Sequence, residues 1–212
     1  MNTEHSINLA EPLKRSSILK CVMLTTWLVM AIGVMLLFEK HEALPNQLGG
    51  RPASATQPLP FLSPAHTSLV MFAHPQCPCT SASLNQLNRL MLYSGKADIW
   101  VVFLKPSSEP NEWVHSALWK EAQKLEGVHV LEDLDGKLCR CAGAYTSGLV
   151  LLYDTKGSEL FRGGLTTSRG HEDDSPGLEI LESYFKTGKL AAASAPVFGC
   201  TLVTKTSTGA SI

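Results

Sequence analysis

The chain has 212 residues, 18 basic and 19 acidic, for a formal net charge of −1 at pH 7. That balance offers no cationic surface of the kind nucleic acid requires, so no nucleic-acid partner is expected. About sixty N-terminal residues do not read as globular, and the remaining 140 to 150 or so suit one domain with a single core.

Cys21 to Phe38 reads CVMLTTWLVMAIGVMLLF, 18 residues without a charge, between Lys20 and Glu39-Lys40. It is close to the minimum for a spanning helix, longer than the apolar part of a usual signal peptide, and apolar on every face. No small-x-small cleavage site follows it directly. The expectation is an uncleaved anchor over residues 18–39, with a removed signal peptide as the rival. Lys14, Arg15 and Lys20 precede the run, whereas Lys40 and Arg51 follow it more widely spaced. By the positive-inside rule, residues 1–17 form a cytoplasmic tail and the domain is exported. In a bacterium with two membranes this means a single-pass inner-membrane protein with its domain in the periplasm, where thiols can be oxidised. Residues 40–65 carry Pro45, Gly49, Gly50, Pro52, Pro58, Pro60 and Pro64, and read as a Pro/Gly-rich linker.

The domain is expected over residues 66–202, with a flexible tail at 203–212. Ser68 to Ala73 (SLVMFA) is a short apolar run fit for a buried strand. Leu84, Leu87, Leu90 and Met91 then recur at helical spacing until Ser94-Gly95. DIWVVFL at 98–104 predicts the second strand. Trp113, Leu118, Trp119, Ala122 and Leu125 predict one helix, opened near 108–111 and stopped at Gly127. VHVLED at 128–133 predicts a third strand, and a short helix is expected at 136–143. Residues 149–164 read as a hairpin around Asp154-Thr155-Lys156-Gly157. Pro176 to Thr187 is a last helix with Leu178, Leu181, Tyr184 and Phe185 on one face. The order βαβαβ(α)ββα predicts an α/β fold: a mixed sheet, helices on both faces, and a final antiparallel hairpin. A thioredoxin-like fold has this order, with its thiol site where the first strand feeds the first helix.

At that junction stands FAHPQCPCTSASL (72–84). Together with GAYTSGLVLLYDTKG (143–157), FRGGLTTSRGH (161–171) and APVFGCTL (195–202), it resembles the RedB-like, membrane-anchored thioredoxin-fold proteins. These are relatives of the alkyl-peroxidase, TlpA and SCO assemblage. The resemblance covers most of residues 66–202 and implies fold and site more firmly than reaction. Glu172-Asp173-Asp174-Ser175 stands where the family usually shows Glu-Gly-Asp-Asn, and no family role carries over to Cys139 or Cys141.

The residues themselves propose a chemistry. With Cys77 capping the helix and Pro78 in its first position, free backbone N–H groups and the helix dipole favour a thiolate at Cys77. Such positions lower a cysteine pKa from about 8.5 into the range 3.5–7.5, which populates the nucleophile at neutral pH. A structural disulfide is the bland alternative. Cys79 closes only a small, strained ring with Cys77, so it is expected either to resolve the site as an oxidising pair or merely to back it. In the latter case Cys77 resolves against Cys200 or a partner protein. Thr146-Ser147-Gly148, before the hairpin, stands where thioredoxin-like proteins carry a cis-proline loop, and is the expected substrate-binding backbone. The returning strand brings LTTSRGH back toward Cys77, so Arg169 is a candidate for stabilising a thiolate and His171 for moving a proton. His74 is equally a strand-end packing residue or a site group. Cys139-Arg140-Cys141 is a second Cys-x-Cys pair; on a helix its side chains point about 200° apart, so the two pairs do not converge on zinc.

The leading expectation is a membrane-anchored, exported thiol–disulfide oxidoreductase with Cys77, Cys79, Arg169 and His171 as site residues and no cofactor. Its partner would be a thiol or disulfide protein or a small thiol, with the membrane engaged through the N-terminal helix. A Cu(I) chaperone using Cys77, Cys79, His74 and His171 is the alternative, since soft thiolates select Cu(I). A thiol peroxidase is the third reading, although Thr80 follows Cys77 rather than preceding it.

Overall fold

The computed structural model describes residues 10–46, 48–50 and 59–204. Parts of the N-terminal tail (1–9), the linker (47 and 51–58) and the C-terminal tail (205–212) lie outside the described residues. The chain divides into two units, Met1–Glu42 and Ala43–Ile212.

In the first unit, helix α1 spans Ala10–Ala43. It continues past the apolar run because Glu39 to Ala43 holds neither Gly nor Pro, and it ends just before Pro45, which cannot extend it. Its stretch Ser17–Ala43 is 27 residues long and contains 18 residues of mean hydropathy 2.4, none of them buried. At 1.5 Å per residue it is about 40 Å long, more than the roughly 30 Å hydrocarbon core of a bilayer. By length and composition it is able to cross a membrane, as a signal sequence also would be.

The second unit is built on one five-stranded sheet, in the order β3-β2-β1-β4-β5. Strand β1 (Ser68–Ala73) leads into helix α2 (Pro78–Met91) and strand β2 (Asp98–Lys105). Short helices α3 (Asn111–Val114) and α4 (Ala117–Gln123) precede strand β3 (Val128–Leu134) and helix α5 (Lys137–Ala142). The hairpin β4 (Leu149–Tyr153) and β5 (Glu159–Gly163) is followed by helix α6 (Pro176–Thr187). β1, β2 and β3 pair in parallel, whereas β4 pairs antiparallel with both β1 and β5. Helix-bearing crossovers join the parallel strands β1, β2 and β3, and the tight Asp154 turn joins β4 to β5, which must then run antiparallel. That turn is held by the Asp154 carboxylate, which accepts from the Lys156 and Ser158 N–H groups at 2.9 and 2.8 Å.

Side chains alternate across each strand, so the sheet has two cores. Leu69, Met71, Val101, Phe103, Val150 and Leu152 meet Leu84, Leu87, Trp119 and Leu178 from α2, α4 and α6. On the other face Val70, Phe72, Val102 and Leu151 meet Cys139 and Ala142 of α5, with Leu59, Val197 and Leu202. Helices therefore cover both faces, as the sequence predicts.

Two expectations change. The single helix over 108–127 is two helices, broken at His115-Ser116. Ser116 Oγ accepts from the Trp119 N–H and so restarts the helix as α4. The His115 ring meanwhile turns to Glu132 on β3, at 2.8 Å. The stretch read as a linker is also partly docked: Leu59 is buried, and Leu48, Phe61 and Leu62 pack on the second core.

Candidate functional site

The site forms where β1, the most central apolar strand, gives way to α2. His74 shapes that turn. Its carbonyl accepts from the Cys77 N–H (3.2 Å) and from the Thr80 hydroxyl (3.0 Å), and its Nδ1 accepts from the Gln76 N–H (3.2 Å). The ring's edge lies on Trp113, centroids 5.3 Å apart, and burial lowers its pKa. His74 is thus a turn-making and packing residue here.

Cys77 is the N-cap of α2, with φ −89° and ψ 121°, and Pro78 follows at the first helical position. The Cys77 side chain does not cap the helix. It turns to Cys200, and the two sulfurs stand 2.7 Å apart. Burial alone would raise the Cys77 pKa. The Cys200 thiol and N–H, followed by the Cys79 N–H and thiol, outweigh it by hydrogen bonding and hold Cys77 below the ordinary thiol range. Cys79 goes the other way: burial raises it, the Cys77 charge adds to that, and only Arg169 and the Gly170 N–H oppose. Burial, then the Cys77 and Cys79 partners, push Cys200 up to about 12, again against Arg169. One thiol is prepared to ionise, and the two beside it are held protonated.

Cys200 reaches this place on an irregular segment after α6. Thr201 bridges Thr146 antiparallel, the Ser147 N–H donates to the Cys200 carbonyl at 2.8 Å, and the Leu202 N–H donates to the Tyr145 carbonyl at 2.8 Å. That segment pairs with Thr146 and Ser147 of Thr146-Ser147-Gly148, the backbone expected to take substrate. Thr146 and Ser147 are buried. The Ser147 hydroxyl accepts from the His74 N–H (2.9 Å) and pairs with Thr80 (3.0 Å), and the Gly148 N–H donates to Phe72. Gly148 has φ +84°, and a Cβ there would lie 2.8 Å from Ser83 Oγ, so the position admits only glycine without strain. The backbone edge expected to take substrate is filled by the protein's own C-terminal segment.

Arg169 does arrive at the thiols, as the hairpin topology predicts. Its charge acts on Cys79 and Cys200, and its Nη1 donates to the Gly199 carbonyl at 2.6 Å. His171 is exposed further along the loop, its N–H directed to the Ser168 carbonyl at 3.5 Å. Among the described residues no group of three His, Cys, Asp or Glu side chains is arranged to hold a metal. Cys139 and Cys141 stay apart from the site: Cys139 is buried in the second core and Cys141 is exposed. Sequence reasoning missed Asn46, whose amide oxygen meets Arg169 and Gly199; the stretch around it has no periodicity that signals docking.

The sequence matches no model of a known protein family and no curated protein. Solved structures are similar. A hypothetical protein of Sinorhizobium meliloti 1021 superposes with TM-score 0.55 at 16% identity, over 76% of this chain and 97% of its own. An uncharacterized conserved protein of Geobacillus kaustophilus gives 0.51 at 18% identity, over 66% and 78%. A thioredoxin-like protein of Aeropyrum pernix gives 0.43 at 13% identity, over 75% and 97%. At these identities the likeness concerns fold alone; the second unit has the α/β strand order, with helices on both faces, expected of a thioredoxin-like fold.

Proposed function

We propose that this chain is a membrane-tethered, exported thiol–disulfide oxidoreductase of RedB-like type, working through Cys77 and Cys200. The observation that carries the reading is a thiol on the N-cap residue of α2, held below the ordinary thiol range, with a second thiol 2.7 Å away. The Cys77 thiolate attacks one sulfur of a substrate disulfide; a Cys77–substrate bond forms and the other substrate sulfur leaves as thiolate, taking a proton from solvent. Attack removes the Cys77 charge, which is one of the causes holding Cys200 up. The nearby Arg169 charge then favours ionisation of Cys200, which attacks Cys77, closes the Cys77–Cys200 bond and expels the second substrate thiolate. Two electrons pass to the substrate, and a thiol donor resets the protein. With a dithiol substrate the steps run in reverse.

Cys79 is the rival resolving thiol, since it too interacts with Cys77. His171 stands on the Arg169 loop as a carrier for the proton of the leaving thiol. The test is trapping: Cys200→Ser should accumulate a Cys77–substrate mixed disulfide, whereas Cys79→Ser should not. Accumulation only in Cys79→Ser would return the resolving role to Cys79, and none in either would remove the reaction. The second reading is Cu(I) binding by the close Cys77–Cys200 thiol pair, since soft thiolates select Cu(I). Tight one-to-one Cu(I) uptake by the reduced protein, with slow thiol exchange, would favour it. The tether reading places the N-terminus in the cytoplasm and the domain outside, in the periplasm where there are two membranes. An alkaline phosphatase fusion after residue 66 should then be active in a bacterial host, and inactivity would reverse the orientation.

A further inference from the structure

Asn46 lies three residues beyond the end of α1, in the stretch that composition reads as a spacer. It is nonetheless bound on three sides. Its N–H donates to the Val197 carbonyl at 2.8 Å, and its Oδ1 accepts from the Gly199 N–H at 3.3 Å and from Arg169 Nη2 at 2.5 Å. Arg169 Nη1 donates in turn to the Gly199 carbonyl, so Asn46, Arg169 and Gly199 close a ring of hydrogen bonds. Two residues on, the Leu48 carbonyl accepts from Arg162 at 3.3 Å, which fastens the same stretch farther along.

Gly199 immediately precedes Cys200. It is pressed so closely to Ser147 that a Cβ on it would lie 2.0 Å from the Ser147 carbonyl oxygen. Cys200 is therefore held from both sides. Ser147 fixes its carbonyl, and the Asn46–Arg169 clamp fixes the peptide before it. The clamp includes the guanidinium whose charge acts on Cys79 and Cys200.

We propose that Asn46 is a positioning residue for the thiol site: its amide oxygen gathers Arg169 and the Gly199 N–H and thereby sets Cys200 against Cys77. The proposal rests on the reading of Cys77 and Cys200 as the working pair. It makes the residues after α1 part of the redox unit. Release of this strap, the stretch that Asn46 holds down, disfavours closure of the Cys77–Cys200 bond and leaves Cys77 to act as a single thiol.

The experiment uses the full chain in detergent micelles, equilibrated with reduced and oxidised glutathione, and reads the equilibrium constant for closing Cys77–Cys200. Asn46→Ala should lower that constant by about tenfold, the usual effect of losing a hydrogen bond to a charged group in a partly buried site. Asn46→Ser, too short to span both donors, should lower it similarly. Asn46→Asp keeps the acceptor oxygen and should return it to within about twofold of the parent. Rescue by Asp alone separates positioning from a general loss of packing, and Ser serves if the Ala variant does not fold. A constant unchanged in both Asn46→Ala and Asn46→Ser overturns the strap and leaves the thiol pair standing. A parent chain that forms no Cys77–Cys200 bond under oxidising glutathione overturns the pair and the strap together.

Discussion

Cys77-Pro78-Cys79 and Cys139-Arg140-Cys141 have the same spacing, and each sits at or on a helix after a strand of the same sheet. In the first, the leading cysteine is the N-cap residue of a 14-residue helix, and its thiol meets a third cysteine and is held below the ordinary thiol range. In the second, the pair lies within a six-residue helix that turns Cys139 into the core and Cys141 to solvent. Burial, with the Asp133 carboxylate beside it, raises the Cys139 thiol. The difference teaches that a Cys-x-Cys spacing carries no chemistry of its own. What distinguishes the first pair is a helix N-terminus at the end of a central strand and a backbone segment that delivers another thiol to it.

Breaking the first pair should have the largest effect. Cys77→Ser is expected to reduce exchange with a model disulfide by on the order of a thousandfold or more, since a hydroxyl does not replace a thiolate nucleophile. Cys141→Ser should leave the same rate unchanged in a stopped-flow assay, and a comparable loss there would erase the distinction between the pairs. Breaking the second region should cost stability instead. The Asp133 carboxylate accepts from the Leu138 and Cys139 N–H groups, both at 2.8 Å, and so starts α5. Asp133→Ala should lower unfolding free energy by about 1–3 kcal/mol in urea titration while leaving Cys77 exchange intact.

Titration sharpens the comparison further. Cys77 alkylation in the reduced protein should reach half its maximal rate at a pH below that of a free thiol, about 8.5. Cys200→Ser should move that midpoint upward, because the Cys200 thiol is among the groups that lower Cys77. Cys139 should resist alkylation until the protein unfolds. In stability the signs oppose. Cys77 contributes stability that is present above the unfolded-state thiol pKa and lost as pH falls through its folded value. Cys139 contributes stability that is present below that pKa and lost as pH rises toward its own raised value. A Cys77 midpoint at the free-thiol value would remove its special status.

Much of this contrast is legible in the sequence. Apolar runs of strand length at 68–73, 98–104 and 149–153, separated by helical spacing, are enough to order the sheet, because each buries both faces of the strand it forms. The junction at Cys77 follows from Pro78, which suits only a helix start. The divergence of Cys139 and Cys141 follows from helix geometry alone. The partner of Cys77 is different in kind. Cys200 is 123 residues away, and backbone hydrogen bonds of an irregular segment bring it in, leaving no period to read. The signal available was composition: Val197, Phe198 and Leu202 are apolar beyond the last helix, which marks a segment that docks, and all three are buried. The break at Ser116 escaped for a similar reason, since Trp113 and Trp119 fit one continuous helix until a serine cap divides them. The buried Arg162, which pairs with Glu159 and donates to the Ala142 and Gly143 carbonyls at the end of α5, sits in a strand whose sequence looks generic.

Disulfide mapping decides whether Cys77 works with Cys200. The full chain is oxidised with glutathione disulfide, quenched in acid, alkylated in denaturant and digested without reduction, and the linked peptides are weighed. A peptide joining Cys77 to Cys200 is expected, with Cys79, Cys139 and Cys141 alkylated. A Cys77–Cys79 link, or a Cys77 that stays alkylated throughout, would contradict that pairing.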